Sequence, residues 1–126
     1  MTGEGILVVE DDGLIALHLT ETLENAGYRV IGPAFSGESV LQDLTTSPLP
    51  DLILMDVGLA GSLDGIETAA QIRKRSPVPI IFITAYSTER MLDRMKDIHH
   101  NGIIHKPFAV GDLLELIQKT IESPAS

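Results

Sequence analysis

Cysteine is absent from the 126-residue chain, which excludes disulfides, thiolate metal sites and cysteine nucleophiles; any metal must be held by oxygen or histidine. Basic residues are scarce. Nine Lys plus Arg against eighteen Asp plus Glu give a formal net charge of −9, the wrong sign for a polyphosphate backbone, so direct nucleic-acid binding is not expected. Long apolar runs are missing too: none approaches the roughly 20 residues that a membrane helix needs, so no span is expected. Met1 to Gly5 carries no basic segment ahead of the first apolar run, which argues against a secretory signal and makes a cytoplasmic location the expectation. Internal repeats and low-complexity segments are also lacking.

What is there has the composition of an ordinary soluble domain, 44% hydrophobic and 21% charged, at a length suited to one core and too short for two. One unit is expected over residues 1–126, its core at about 5–122, with no output domain after the last helix. Short, mostly β-branched apolar runs at 6–9, 30–31, 52–55, 80–83 and 103–104 are bounded by Gly, Pro, Asp or Asn and predict five strands. Between and after them, apolar residues recur at helical spacing: Leu14, Leu17, His18 and Leu23; Val40, Leu41 and Leu44; Ile66, Ala69, Ala70 and Ile72; Met91, Leu92, Met95 and Ile98; Leu113, Leu114, Leu116, Ile117 and Ile121. Gly27 suits the end of the first helix, Ser36 and Thr88 suit N-caps, and Asp64 with Glu67 forms a capping-box pattern. Residues 45–50 read as a surface loop and 122–126 as a frayed tail. The fold class is therefore α/β, a (βα)5 chain. Unbroken apolar strands alternating with helices imply a doubly wound parallel sheet. Its ligands belong beyond the carboxyl ends of the strands.

Polar groups collect at that edge: Glu10, Asp11 and Asp12 after the first strand, Asp56 after the third, Thr84 after the fourth, and Lys106 after the fifth. Carboxylates about 4 Å apart repel by on the order of 4 kcal/mol per pair at an effective dielectric of about 20. Lys106 offers one compensating charge and a hard divalent ion such as Mg²⁺ a second. Such a site favours phosphoryl transfer to a carboxylate, with Asp56 as nucleophile, an acyl phosphate as product and Thr84 as hydroxyl donor.

The segments Ile6-Leu7-Val8-Val9-Glu10-Asp11-Asp12, Asp51-Leu52-Ile53-Leu54-Met55-Asp56, Asp64-Gly65, Ile83-Thr84-Ala85 and Lys106-Pro107-Phe108 resemble the receiver domain of response regulators over about the whole chain. The resemblance implies the flavodoxin-like strand order 2-1-3-4-5 and a two-component phosphoacceptor switch. It implies Mg²⁺ held by Glu10, Asp11, Asp56 and the carbonyl of Gly58, with Asp56 also the phosphorylation site, and Thr84 and Lys106 as phosphoryl-binding groups. A cis bond before Pro107 comes with it. The implied partners are a histidine kinase or phosphotransfer protein, and an output domain or second copy at the surface of the fourth helix, fifth strand and fifth helix. The chain would be no enzyme beyond assisting its own phosphotransfer and autodephosphorylation.

Three departures stand out. Ile103 occupies the position, three before the lysine, where the family usually has an aromatic switch residue, which makes Tyr86 the alternative switch candidate. The loop from Val57 to Leu63 lacks the usual proline and is about one residue longer than the common form; its two glycines predict mobility. Gly58 lends no side chain that could shield an acyl phosphate.

Simpler roles compete with these. Asp12 suits the helix start. His99, His100 and His105 read as solvated polar residues, His18 as a packed one, and Met91 and Met95 as a core stripe. Among rival functions, a phosphorylation-independent pseudo-receiver is opposed by the intact set Glu10, Asp11, Asp56, Thr84 and Lys106. A haloacid-dehalogenase-type hydrolase needs an aspartate where Gly58 stands. A flavodoxin-like electron carrier needs a Thr/Ser-rich phosphate loop and a stacking tryptophan, and the chain has neither.

Overall fold

The five apolar runs become strands in the computed structural model, which describes residues 3–46, 48–85 and 88–122. In chain order these are β1 (Gly5–Val9), α1 (Gly13–Asn25), β2 (Arg29–Ala34), α2 (Gly37–Thr46), β3 (Leu52–Asp56), α3 (Gly65–Arg73), β4 (Ile80–Thr84), α4 (Glu89–Lys96), β5 (Gly102–His105) and α5 (Val110–Glu122). All four pairings are parallel, in the order β2-β1-β3-β4-β5. The order reverses between β1 and β3, which opens a crevice at their carboxyl ends.

Every residue of β1, β3 and β4 is buried, because helices cover both faces of the central strands. Alternation divides the side chains into two cores. Leu7, Val9, Ile53, Met55 and Phe82 pack with α2, α3 and Met95 of α4. Ile6, Val8, Leu54 and Ile83 pack instead with Leu19 and Leu23 of α1 and Leu113 and Ile117 of α5. Both cores end just beneath the crevice, so the side chains above them stand on a rigid floor.

Several expectations change. β2 is longer than residues 30–31 and runs through Gly32 and Pro33; its position at the sheet edge tolerates proline, and its register against β1 shifts between Leu7 and Val9. α2 extends through Thr46, with the Thr45 hydroxyl donating to the Gln42 carbonyl, and Glu122 is the last residue of α5; residue 47 of the expected loop and 123–126 of the expected tail lie outside the described residues. In α1, Leu14 and Leu17 are 80% and 55% exposed and His18 also faces solvent. The buried stripe is Ala16, Leu19 and Leu23.

The helix ends follow their sequence signals. Asp12 caps α1 by accepting from the amides of Leu14 and Ile15, and Ser36 caps α2 through the Ser39 amide. Asp64 and Glu67 close a reciprocal capping box on α3, and Thr88 caps α4. Gly27, just past the C-cap of α1, has φ +98°, where glycine alone carries no side-chain penalty.

Candidate functional site

Four strand ends deliver the site. Glu10 follows β1 and is 1% exposed, Asp56 closes β3 at 5%, and Thr84 closes β4 fully buried. Lys106 follows β5, with its amide donating to the Thr84 carbonyl at 2.8 Å. The next peptide, Lys106–Pro107, is cis. The lysine Nζ reaches back across the crevice, 3.1 Å from Glu10 Oε1 and 3.4 Å from Asp56 Oδ1.

Asp56 is set by close packing behind it. A Cβ on Gly65 would lie 2.1 Å from the Asp56 carbonyl oxygen, so only glycine lets α3 begin this close to the end of β3. The Gly65 amide donates to Val57 O at 3.0 Å, and the Gly58 amide donates to Asp56 Oδ1 at 3.3 Å.

Burial dominates the electrostatics. It pushes the Glu10 carboxyl up to about 7; the Asp12 amide and the Lys106 ammonium oppose that shift, and the charge on Asp56 adds to it. Burial works against the charge on Lys106, but Asp56 and Glu10 outweigh it and hold the ammonium above its usual range. One lysine thus serves two buried carboxylates, with Asp11 beside them.

Glu10, Asp11 and Asp56 can each present an oxygen so that the three atoms lie within 4.8 Å of one another, the one such group among the described residues. A hard-oxygen donor set with surplus negative charge fits Mg²⁺. The expected set Glu10, Asp11, Asp56, Gly58, Thr84 and Lys106 is therefore gathered at one edge. Of the switch candidates, Ile103 is half-buried on β5 and packs against the core beside Phe82, whereas Tyr86 lies outside the described residues. His99 and His105 are exposed as expected. His100 differs: it is half-buried, its Nδ1 is 2.8 Å from the Ile98 carbonyl and its ring centroid is 5.3 Å from that of Phe82.

Sequence reasoning missed the fastening of the loop after β3. The Ala60 amide donates to Asp11 Oδ2 at 2.8 Å, and the Ser62 amide donates to Glu38 Oε2 of α2 at 3.2 Å. The loop expected to be mobile is thus tied to the site and to α2. Such backbone-to-carboxylate contacts, 49 and 24 residues apart, have no local sequence signal.

Comparison with known proteins agrees with this geometry. The family model for the response regulator receiver domain matches residues 6–118. The transcriptional regulatory protein PdtaR of Mycobacterium tuberculosis is 33% identical over 92% of this chain and 56% of its own length. Sporulation initiation phosphotransferase F of Bacillus subtilis is 30% identical over 94% of both chains. Among solved structures, the signal receiver domain of a modulated diguanylate cyclase from Desulfovibrio desulfuricans is 37% identical with a TM-score of 0.87, over 94% of both chains. The chain spans about half the length of PdtaR.

Proposed function

Since the chain belongs to the response regulator receiver domain family, we propose that it is a phosphoacceptor switch in which Asp56 takes a phosphoryl group from a phosphohistidine. The carrying observation is the placement of Asp56: a buried carboxylate at the topological switch point, paired to Lys106 at 3.4 Å, with Glu10 and Asp11 oxygens close by.

In this reading an Asp56 oxygen attacks phosphorus in line, the P–O bond forms as the P–N bond breaks, and the donor imidazole leaves. Mg²⁺, held by Glu10, Asp11, Asp56 and the Gly58 carbonyl, would supply charge neutralisation on the phosphoryl oxygens. Lys106 leaves its two carboxylates to pair with a phosphoryl oxygen, and the Thr84 hydroxyl donates to another. Their movement would shift the surface of α4, β5 and α5 towards a second conformation that an output domain, a second copy or another protein recognises. The chain acts only on itself, assisting its own phosphorylation and hydrolysis.

The donor, a histidine kinase or phosphotransfer protein, has a place to dock. A cavity of about 600 Å³ lies between α1 and the segment after β5, lined by Leu14, Ile15, His18, Pro107 and Phe108, and Lys106 forms part of its wall. Leu14, which lines this cavity, and Leu17 on the same helix are both exposed, more apolar surface than α1 needs for folding. Beryllofluoride, which mimics an acyl phosphate, tests the switch: with Mg²⁺ it should shift the amide NMR signals of Thr84, Lys106 and α4. A spectrum identical with and without beryllofluoride would contradict the proposal.

A further inference from the structure

Three alternate residues of the loop after β3 turn their backbone amides to three different carboxylates. Gly58 donates to Asp56 Oδ1 at 3.3 Å, Ala60 to Asp11 Oδ2 at 2.8 Å and Ser62 to Glu38 Oε2 at 3.2 Å. The Ser62 hydroxyl donates to the same Glu38 oxygen. Two of these carboxylates belong to the acidic site of Glu10, Asp11 and Asp56; the third is in the first turn of α2.

The surroundings of Glu38 are built for the contact. Gly61 turns the loop towards α2 with φ +103°, and a Cβ there would come within 3.6 Å of Glu38 Oε1. Gly37, next to Glu38, approaches α3 so closely that a Cβ would lie 2.0 Å from Thr68 Oγ1 and 3.2 Å from Leu63 Cβ. The start of α2 is thereby seated against the far end of the same loop. The near end is held by buried Val57 and Leu59 and the far end by the Asp64 capping box. Between those ends, residues 60–62 are exposed, so their position depends on the two amide contacts rather than on packing.

We propose that Glu38 is a positioning residue for the acidic site: by holding Ser62 it keeps the Ala60 amide on Asp11 and so fixes the Asp11 carboxylate for cation binding. The chemical reason is that an amide on one carboxylate oxygen orients the other, and outer contacts of this kind typically change metal affinity by about 10–100-fold when they act directly on a ligand. Glu38 acts one step further out, so a smaller factor, about 3–10-fold, is expected. This inference rests on the reading of Glu10, Asp11 and Asp56 as the cation site, and it holds or fails separately from phosphorylation.

The experiment compares wild type, Glu38→Ala, Glu38→Gln and Ser62→Ala by amide hydrogen exchange without cation and by Mg²⁺ titration followed by NMR. Glu38→Ala should speed exchange at Ala60 and Ser62 at least threefold and weaken Mg²⁺ binding about 3–10-fold. Glu38→Gln, which keeps an acceptor oxygen, should restore most of both, and Ser62→Ala should fall between. Unchanged Mg²⁺ affinity in Glu38→Ala would overturn the proposal, as would loss of affinity in Glu38→Gln equal to that in the alanine variant. Core methyl signals unaltered between variants exclude misfolding as the cause. Absence of Mg²⁺ binding to wild type would reject the cation site and this inference together. Mg²⁺ binding without phosphoryl uptake would reject only the phosphoacceptor reading.

Discussion

At the scale of single residues, Glu10 carries a measurable cost. Its carboxyl sits near 7 in the fold instead of 4.5, chiefly through burial. The folded chain therefore holds this proton more tightly than the unfolded chain. The contribution is fully present below about 4.5 and is lost as pH rises through about 7. The full loss is on the order of 3 kcal/mol. The raised Lys106 acts in the same direction but only at alkaline pH. Cation-free protein should accordingly lose stability to urea between pH 5 and 8, and Glu10→Gln should flatten that slope. Mg²⁺ should stabilise wild type more at pH 8 than at pH 5, because it binds the deprotonated carboxylates. A wild-type slope that survives in Glu10→Gln would assign the effect elsewhere. Glu10, Asp11, Asp56, Thr84 and Lys106 were legible because each follows an apolar run that reads as a strand. The roles of Ala60, Ser62 and Glu38 were not, since a backbone amide carries no residue signature.

At the scale of elements, the caps were legible and one helix face was not. Asp64 both caps α3 and meets Arg94 of α4 at 2.9 Å. Asp64→Ala should cost about 1–2 kcal/mol, about 1 from the cap and the rest from the half-exposed ion pair. Asp64→Asn, which keeps the cap, should lose only the smaller part; equal midpoints for the two variants in thermal unfolding would contradict this division. On α1 the 3.6-residue spacing fits two neighbouring stripes, and Leu14, Leu17 and His18 lie on the exposed one. Spacing alone cannot tell a buried leucine from one kept for a partner. Leu14→Ala with Leu17→Ala should change stability by no more than about 0.5 kcal/mol per site. The pair should slow phosphotransfer from a protein donor at least fivefold and leave uptake from acetyl phosphate unchanged. Equal slowing with both donors would place the defect in the site and not in docking.

At the scale of the whole molecule, five alternating strands and helices dictate parallel pairing, and the resemblance supplied the order that the sheet adopts, β2-β1-β3-β4-β5. Unbroken apolar runs marked β1, β3 and β4 as doubly covered. The edge strands were harder to delimit, because β2 contains Gly32 and Pro33 and is partly exposed. This topology brings residues 10, 56 and 106 to one crevice although they are 50 and 96 positions apart where they touch. The proposal turns on Asp56 accepting a phosphoryl group from a donor in this crevice, with Mg²⁺ held beside it. The direct measurement is intact mass under mild acid after incubation with acetyl phosphate, with and without Mg²⁺, for wild type and Asp56→Ala. The account predicts one added phosphoryl group, about 80 Da, in wild type with Mg²⁺ and in neither control. An adduct that persists in Asp56→Ala, or that forms equally well without Mg²⁺, would contradict it.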